Sequence, residues 1–237
     1  MDEIQTLKNI MDGAKKAVFF GGAGVSTESG IPDFRSQDGL YNQKYAYPPE
    51  QILSHTFFCY RTKEFYDFYR DKMLFLNAQP NAAHLKLAEW EKEGRLAAVV
   101  TQNIDGLHQK AGSKNVLELH GSVLRNYCTH CGKFYPVETI VSSVGVPRCD
   151  CGGIIKPDVV LYEEGLNNDI LTRSVKHISE ADVLIIGGTS LNVYPAAGLI
   201  DYFNGKHLVV VNKGATAKNV DGALYVNGKI GEVFSQL

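Results

Sequence analysis

Five short apolar runs, at 17–20, 96–100, 116–119, 183–186 and 208–211, recur along the chain, and polar, helix-compatible stretches separate most of them. Each run is continuous rather than alternating, which is the pattern of a strand buried on both faces. The spacing predicts an α/β fold: a Rossmann-like parallel sheet flanked by helices. Two stretches break the alternation. Residues 31–77 are rich in aromatics and are expected to be helical after Pro48-Pro49, and residues 122–157 hold four of the five cysteines. Both read as insertions that make a smaller module, leaving 1–30, 78–121 and 158–237 for the sheet domain.

Small and polar residues follow each run directly: Gly21-Gly22-Ala23-Gly24, Thr101-Gln102-Asn103-Ile104-Asp105, His120-Gly121-Ser122, Gly187-Gly188-Thr189-Ser190 and Asn212-Lys213-Gly214. Ligands of open α/β sheets bind outside the carboxyl ends of the strands, so these five motifs predict one site. The segment from Gly21 to Thr27 resembles a glycine turn that lets backbone approach a pyrophosphate. Thr27 stands where the usual third glycine would be, and no acidic ribose ligand follows at the customary spacing, which disfavours a standard dehydrogenase.

Cys128-x-x-Cys131 and Cys149-x-Cys151, 17 residues apart, have the spacing of two knuckles that bring four thiolates to a Zn²⁺ ion. Four thiolates fill a tetrahedral shell, so the expected role is structural. Cys59 stands alone and is expected to be a buried small hydrophobe. His120, at a strand end beside a glycine, is the candidate general base. His108 reads as a second base or, more readily, as a brace for its loop, with Asn103 and Asp105 the better ligand candidates.

Lys and Arg number 24 against 26 Asp and Glu, and no local basic patch stands out, so neither nucleic acid nor an anionic membrane is an expected partner. No apolar run approaches the ~18 residues of a membrane span, and the N-terminus lacks a signal-peptide core. A cytoplasmic location is expected.

Taken together, the run from Gly22 to Arg35 (GAGVSTESGIPDFR), Thr101-Gln-Asn-Ile-Asp105, His120-Gly121, the cysteine quartet, Gly188-Thr-Ser190 and Val210-Val-Asn212 resemble the sirtuin family over essentially the whole chain. The resemblance implies a bacterial-type core enzyme, an NAD-dependent protein-lysine deacetylase. It would transfer the acyl group of an acyl-lysine to ADP-ribose, releasing nicotinamide and O-acetyl-ADP-ribose. NAD would be a co-substrate, Zn²⁺ structural, and acyl-lysine proteins or peptides the partners. Ala23, Thr27, Arg35, Gln102, Thr189, Ser190 and Asn212 would line the dinucleotide, with Ile230 near adenine. Asp33, Phe34, Asn103, Ile104 and Asp105 would hold the nicotinamide and its ribose, against His120 as the catalytic base.

Val159, Val160, Leu161 and Tyr162, with Val193 on the opposite wall, would take the peptide as an added strand. Tyr162-Glu163 replaces the family's frequent Phe-Gly, a change expected to alter the tunnel mouth and add negative charge. The branch that removes acidic acyl groups carries Tyr-x-x-Arg, whereas this chain reads Tyr66-Asp-Phe-Tyr69. Arg70 lies ~100° further round a helix, so neutral acyl groups are expected. Two alternatives stay open from sequence: a protein mono-ADP-ribosyltransferase, and a zinc-ribbon interaction module without catalysis.

Overall fold

The structure is a computed structural model that describes residues 2–34, 39, 45–214, 216 and 220–237. In chain order its elements are α1 (Glu3–Asp12), β1 (Ala17–Gly21), α2 (Pro49–Ile52), α3 (His55–Tyr60), α4 (Thr62–Lys72), α5 (Ala82–Lys92), β2 (Leu96–Thr101) and α6 (Leu107–Ala111). There follow β3 (Val116–Glu118), β4 (Gly121–Cys128), β5 (Phe134–Pro136), α7 (Val137–Ser142), β6 (Ile155–Val159), α8 (Asn168–Ser179), β7 (Val183–Gly187), β8 (His207–Asn212), β9 (Leu224–Asn227) and α9 (Ile230–Phe234).

Six strands form one parallel sheet in the order β3-β2-β1-β7-β8-β9. All five apolar runs are strands of it. The order runs one way from β1 to β3 and the other way from β7 to β9, so the reversal falls between β1 and β7, at whose carboxyl ends open α/β sheets bind their ligands. Alternate residues of β1 serve opposite faces. Ala17 and Phe19 pack with Leu7, Met11, Leu87, Trp90 and Phe234, while Val18 and Phe20 pack with Ile178, Leu184, Leu199 and Ile200.

Here β9 is the strand that the hydrophobic pattern did not reveal. It has four residues of which only Val226 is fully buried, so its apolar signal is too thin to register.

The second sheet is antiparallel, ordered β5-β4-β6. Around it a third core joins the two insertions: Phe57, Phe58, Phe65, Tyr66 and Tyr69 from the helical stretch pack with Cys128, Ile140, Cys149, Ile155 and Val159. Helices this short do not hold themselves together, so the aromatics of 57–69 depend on the cysteine-bearing stretch, and the reverse. The Tyr66 hydroxyl donates to the Ile155 carbonyl across this boundary.

Two glycines hold the crevice open to backbone. Gly24 N–H donates to the Gly188 carbonyl at 2.8 Å, and a Cβ on Gly188, whose φ is +57°, would stand 2.4 Å from Val25 N. The turns after β1 and β7 thus touch backbone to backbone. Gly121 is the tighter case: φ is +76° and a Cβ would meet the Asp158 carbonyl oxygen at 1.9 Å. Left-handed backbone alone costs a side-chain-bearing residue ~1–2 kcal/mol, and here the clash is with backbone that cannot swing aside. Gly121→Ala is therefore expected to destabilise the fold by about 3 kcal/mol or more, measured from the urea midpoint; a loss below ~1 kcal/mol would contradict this packing.

Candidate active site

The carboxyl ends of β1, β2, β3 and β7 bring their motifs into hydrogen-bond contact. The Gln102 N–H donates to the Gly21 carbonyl at 3.0 Å, and the Gln102 side-chain amide to Thr189 Oγ1 at 3.2 Å. Three loops thereby share one floor. Thr189 Oγ1 also accepts from Leu191 N–H at 3.2 Å.

Deeper in, Ser26 Oγ donates to Asp105 Oδ2 at 2.6 Å and accepts from Asn103 Nδ2 at 3.0 Å. Asp105 uses its other oxygen on Leu107 N–H at 2.9 Å, which anchors the start of α6. Asn103 is buried, its backbone N–H held by Thr101 Oγ1. Ser26 was not singled out among the expected site residues. It lies inside the glycine-rich motif, and only the fold reveals that it joins Asn103 to Asp105. Asn81 is a second such residue. It caps α5 through Ala83 N–H, and its amide also reaches the Val25 carbonyl at 2.8 Å and Ser29 Oγ at 3.0 Å. A cap before a helix is legible in sequence, but its reach to a loop 52 to 56 residues earlier is not.

His120 stands two residues beyond the end of β3 and meets the strand-end loops at Gln102. Its Nδ1 lies 3.0 Å from the Gln102 carbonyl. A carbonyl can only accept, so Nδ1 carries the proton and Nε2 presents its lone pair. Burial lowers the His120 pKa below the usual imidazole value, and the Gln102 bond offsets part of that. At neutral pH the ring is an uncharged base.

His108 is not a second base of the crevice. It is buried, its ring centroid 4.8 Å from that of His84 and 6.1 Å from that of Phe19. Burial drives His108 well below the ordinary value and His84 down to about 4, against the pull of Asp105. Both imidazoles are neutral packing under the loop, as expected of His108.

Of the other expected ligands, Ala23 and Thr27 sit in two 3₁₀ turns after β1, with Thr27 Oγ1 on the Gly24 carbonyl at 3.0 Å. Phe34 and Ile104 pack against the third core, and Asp33 is half-buried beside Phe34. Ser190 is half-buried at the end of the β7 turn. Asn212 ends β8 with its amide on the Gly214 carbonyl at 2.9 Å. Ile230 opens α9, and its side chain turns into the core against Gly187. Arg35 lies outside the described residues.

Val159 ends β6, and the Val160 N–H donates to the His120 carbonyl at 3.0 Å. Leu161 is buried and Tyr162 exposed, the latter bridged to Ser54 by bonds to the Leu53 carbonyl and the His55 N–H. Val193 is half-buried and its carbonyl accepts from Ala197 N–H. Glu163 takes a left-handed φ of 74°, and its carboxylate accepts from the Thr56 N–H at 2.9 Å and the Thr56 hydroxyl at 2.6 Å. Its charge thus lies at the start of α3. Arg70 points at the Ile140 carbonyl, Ser143 Oγ and the Gly145 carbonyl, bracing the two insertions.

One expectation fails: Cys59 is exposed, not buried. Position 59 falls on the outer side of α3, with Phe57 and Phe58 taking the core positions; the residue type alone could not choose a face.

The four sulfurs of Cys128, Cys131, Cys149 and Cys151 lie within 4.8 Å of one another. Cys128–Cys151 and Cys131–Cys149 are 3.4 and 3.6 Å apart, near the ~3.8 Å edge of a tetrahedron with ~2.3 Å Zn–S bonds. The shortened second knuckle therefore still closes the quartet. The N–H groups of His130 and Cys131 point at Cys128 Sγ, and the backbone N–H of Cys151 and the Tyr135 hydroxyl pull the Cys149 thiol down to about 6. Among the described residues this is the one such group of potential metal ligands, and it fits zinc.

A model of the Sir2 family matches residues 22–195, most of the chain. The chain belongs to the Sir2 family. It is 60% identical to an NAD-dependent protein deacetylase of Clostridium acetobutylicum, over 98% of this chain and 97% of that one. It is 56% identical to one of Clostridium perfringens, over 100% and 98%. Among solved structures it is similar to a Sir2 variant with deacetylated p53 peptide and 3′-O-acetyl ADP ribose (TM-score 0.90, 40% identity, 100% and 97% covered). A Sir2–p53 peptide–NAD⁺ structure is also similar (TM-score 0.87, 40% identity, 98% and 96% covered). Four thiolates would fill a tetrahedral shell, leaving no open coordination position to activate water.

Removing metal with a strong chelator under reducing conditions is expected to lower the melting temperature by several degrees, and Zn²⁺ to restore it. An unchanged melting curve in protein shown to have lost its metal would contradict a structural zinc.

Proposed function

We propose that this chain is an NAD-dependent protein-lysine deacetylase whose base is His120. The single observation that carries the assignment is the His120 ring: protonated at Nδ1 by its bond to the Gln102 carbonyl, with Nε2 free beside the strand-end loops. NAD, when bound, supplies an anomeric carbon that becomes electrophilic as nicotinamide leaves, so that even a weakly nucleophilic amide oxygen can capture it.

Ala23, Thr27, Gln102, Thr189, Ser190 and Asn212 would receive the dinucleotide, with Ile230 at the adenine end; Arg35, proposed for the same role, lies outside the described residues. Asp33, Asn103, Ile104 and Asp105 would orient the nicotinamide amide and ribose. The Ser26 bridge between Asn103 and Asp105 holds these two in register. Phe34 would close over the reacting carbon and exclude water. His120 would take a proton from the ribose hydroxyls, so that the sugar oxygen accepts the acyl group. The acyl-lysine backbone would pair between 159–162 and Val193, which offers backbone recognition with little demand on sequence.

Residues 31–77 and 122–157 form, on this reading, the lobe that faces the NAD-binding sheet domain across the cleft. With Arg70 committed to the Ile140–Gly145 segment, acetyl and other neutral acyl groups are the preferred cargo. Cysteines gathered for a metal rather than paired in disulfides suit a reducing compartment, which supports a cytoplasmic location. No helix among the described residues is long and apolar enough to cross a membrane.

His120→Ala should fold normally and lose acyl transfer by at least about 100-fold, the scale of a lost general base, while keeping part of its nicotinamide–NAD exchange. The test is to measure O-acetyl-ADP-ribose and labelled-nicotinamide exchange on the same preparation. Acyl transfer at the unmutated rate would overturn the assignment.

A further inference from the structure

Across β4 the pairing runs Gly121 with Val159 and Ser122 with Asp158, then resumes at Asn126 with Pro157. Val123, Leu124 and Arg125 therefore bulge out of the β4–β6 ladder, Arg125 keeping its pairing with Pro136 of β5, and each reaches a different neighbour. The Val123 N–H donates to the Ile104 carbonyl at 3.0 Å. The Leu124 side chain covers Gly106, where a Cβ would meet its Cδ1 at 2.7 Å. Arg125 spans two carboxylates: Nε to Asp158 Oδ2 at 2.8 Å and Nη1 to Glu118 Oε2 at 2.7 Å.

The places of those carboxylates matter. Glu118 ends β3 two residues before His120, and its side chain is only 10% exposed; its second oxygen accepts from Gln109 Nε2 at 2.8 Å. Asp158 immediately precedes Val159-Val160, the segment whose N–H meets the His120 carbonyl. One guanidinium thus holds the approach to His120 and the approach to 159–162, while its neighbours in the bulge hold the loop 104–106. A planar fork fixes two carboxylates in direction as well as distance, which an ammonium does not.

We propose that Arg125 is a positioning residue that couples the 159–162 segment to His120 and the 103–105 loop, so that a peptide bound on one side tightens the dinucleotide site on the other. This rests on the deacetylase reading above. A coupling of this kind is reciprocal and is measured as a ratio of affinities.

The test uses the full chain with two probes that cannot react together, ADP-ribose and an acetyl-lysine peptide, with binding followed by calorimetry. In the unmutated protein, saturating ADP-ribose is expected to change the peptide Kd by about fivefold or more, the lower end of typical coupling. In Arg125→Gln the ratio should fall to near one, while each probe alone binds within about twofold and the melting temperature holds; Arg125→Lys should recover part of the ratio. A residue that merely stiffens the fold would lower the melting temperature and both affinities and leave the ratio intact, and that result overturns the proposal, as does a ratio of one in the unmutated protein. Should Arg125→Gln fail to fold, Glu118→Gln breaks the same link from the other end and is read by the same ratio. Failure of the unmutated protein to bind either probe would overturn the deacetylase reading itself.

Discussion

Only Leu119 and His120 separate β3 of the parallel sheet from β4 of the antiparallel one. The chain can make that crossing because Gly121 turns through left-handed backbone against the Asp158 carbonyl, where no side chain fits. This constraint fixes His120 at the seam between the two sheets. Its ring is oriented by the Gln102 carbonyl from one sheet, and its own carbonyl holds Val160 beside the other. The site inherits its geometry from this crossing.

The rest of the structure secures the two sides of that seam by different means. On the sheet side, apolar strands buried on both faces supply most of the stabilisation, at roughly 25 cal/mol per Å² of apolar surface removed from water. Among the described residues the two insertions share one core rather than each having its own. Their shared aromatic cluster, the Arg70 bonds and the cysteine quartet make one body from stretches far apart in sequence. A zinc ion held by the quartet would serve the chemistry only indirectly, by holding the β4–β6 pair on which Val159 and Val160 depend.

Much of this was legible in the residues. The five continuous apolar runs gave the parallel sheet, since burial on both faces leaves no room for alternation. The small and polar residues after them marked the crevice, and the Cys128–Cys151 spacing marked the metal site. Other features depended on tertiary contacts that no local pattern encodes. Short, half-exposed β9 left too little signal, and Cys59 could not be assigned a face from its type. Glu163 is a charge in sequence, but its bonds to Thr56 are set by the fold. Ser26 and Asn81 lie in recognisable local motifs, but the partners that give them meaning come from other strands and helices. Arg125 is of the same kind, an ordinary surface arginine in sequence whose two carboxylates are 7 residues before it and 33 after.

The central claim is that His120 and the strand-end loops carry an acyl transfer that consumes NAD. The most direct measurement is to incubate the purified protein with an acetyl-lysine peptide, with and without NAD, and quantify all products. Free lysine peptide, nicotinamide and O-acetyl-ADP-ribose should appear in equal amounts and only with NAD. Deacetylation without NAD, or NAD cleavage that yields ADP-ribosylated protein and no O-acetyl-ADP-ribose, would contradict the account.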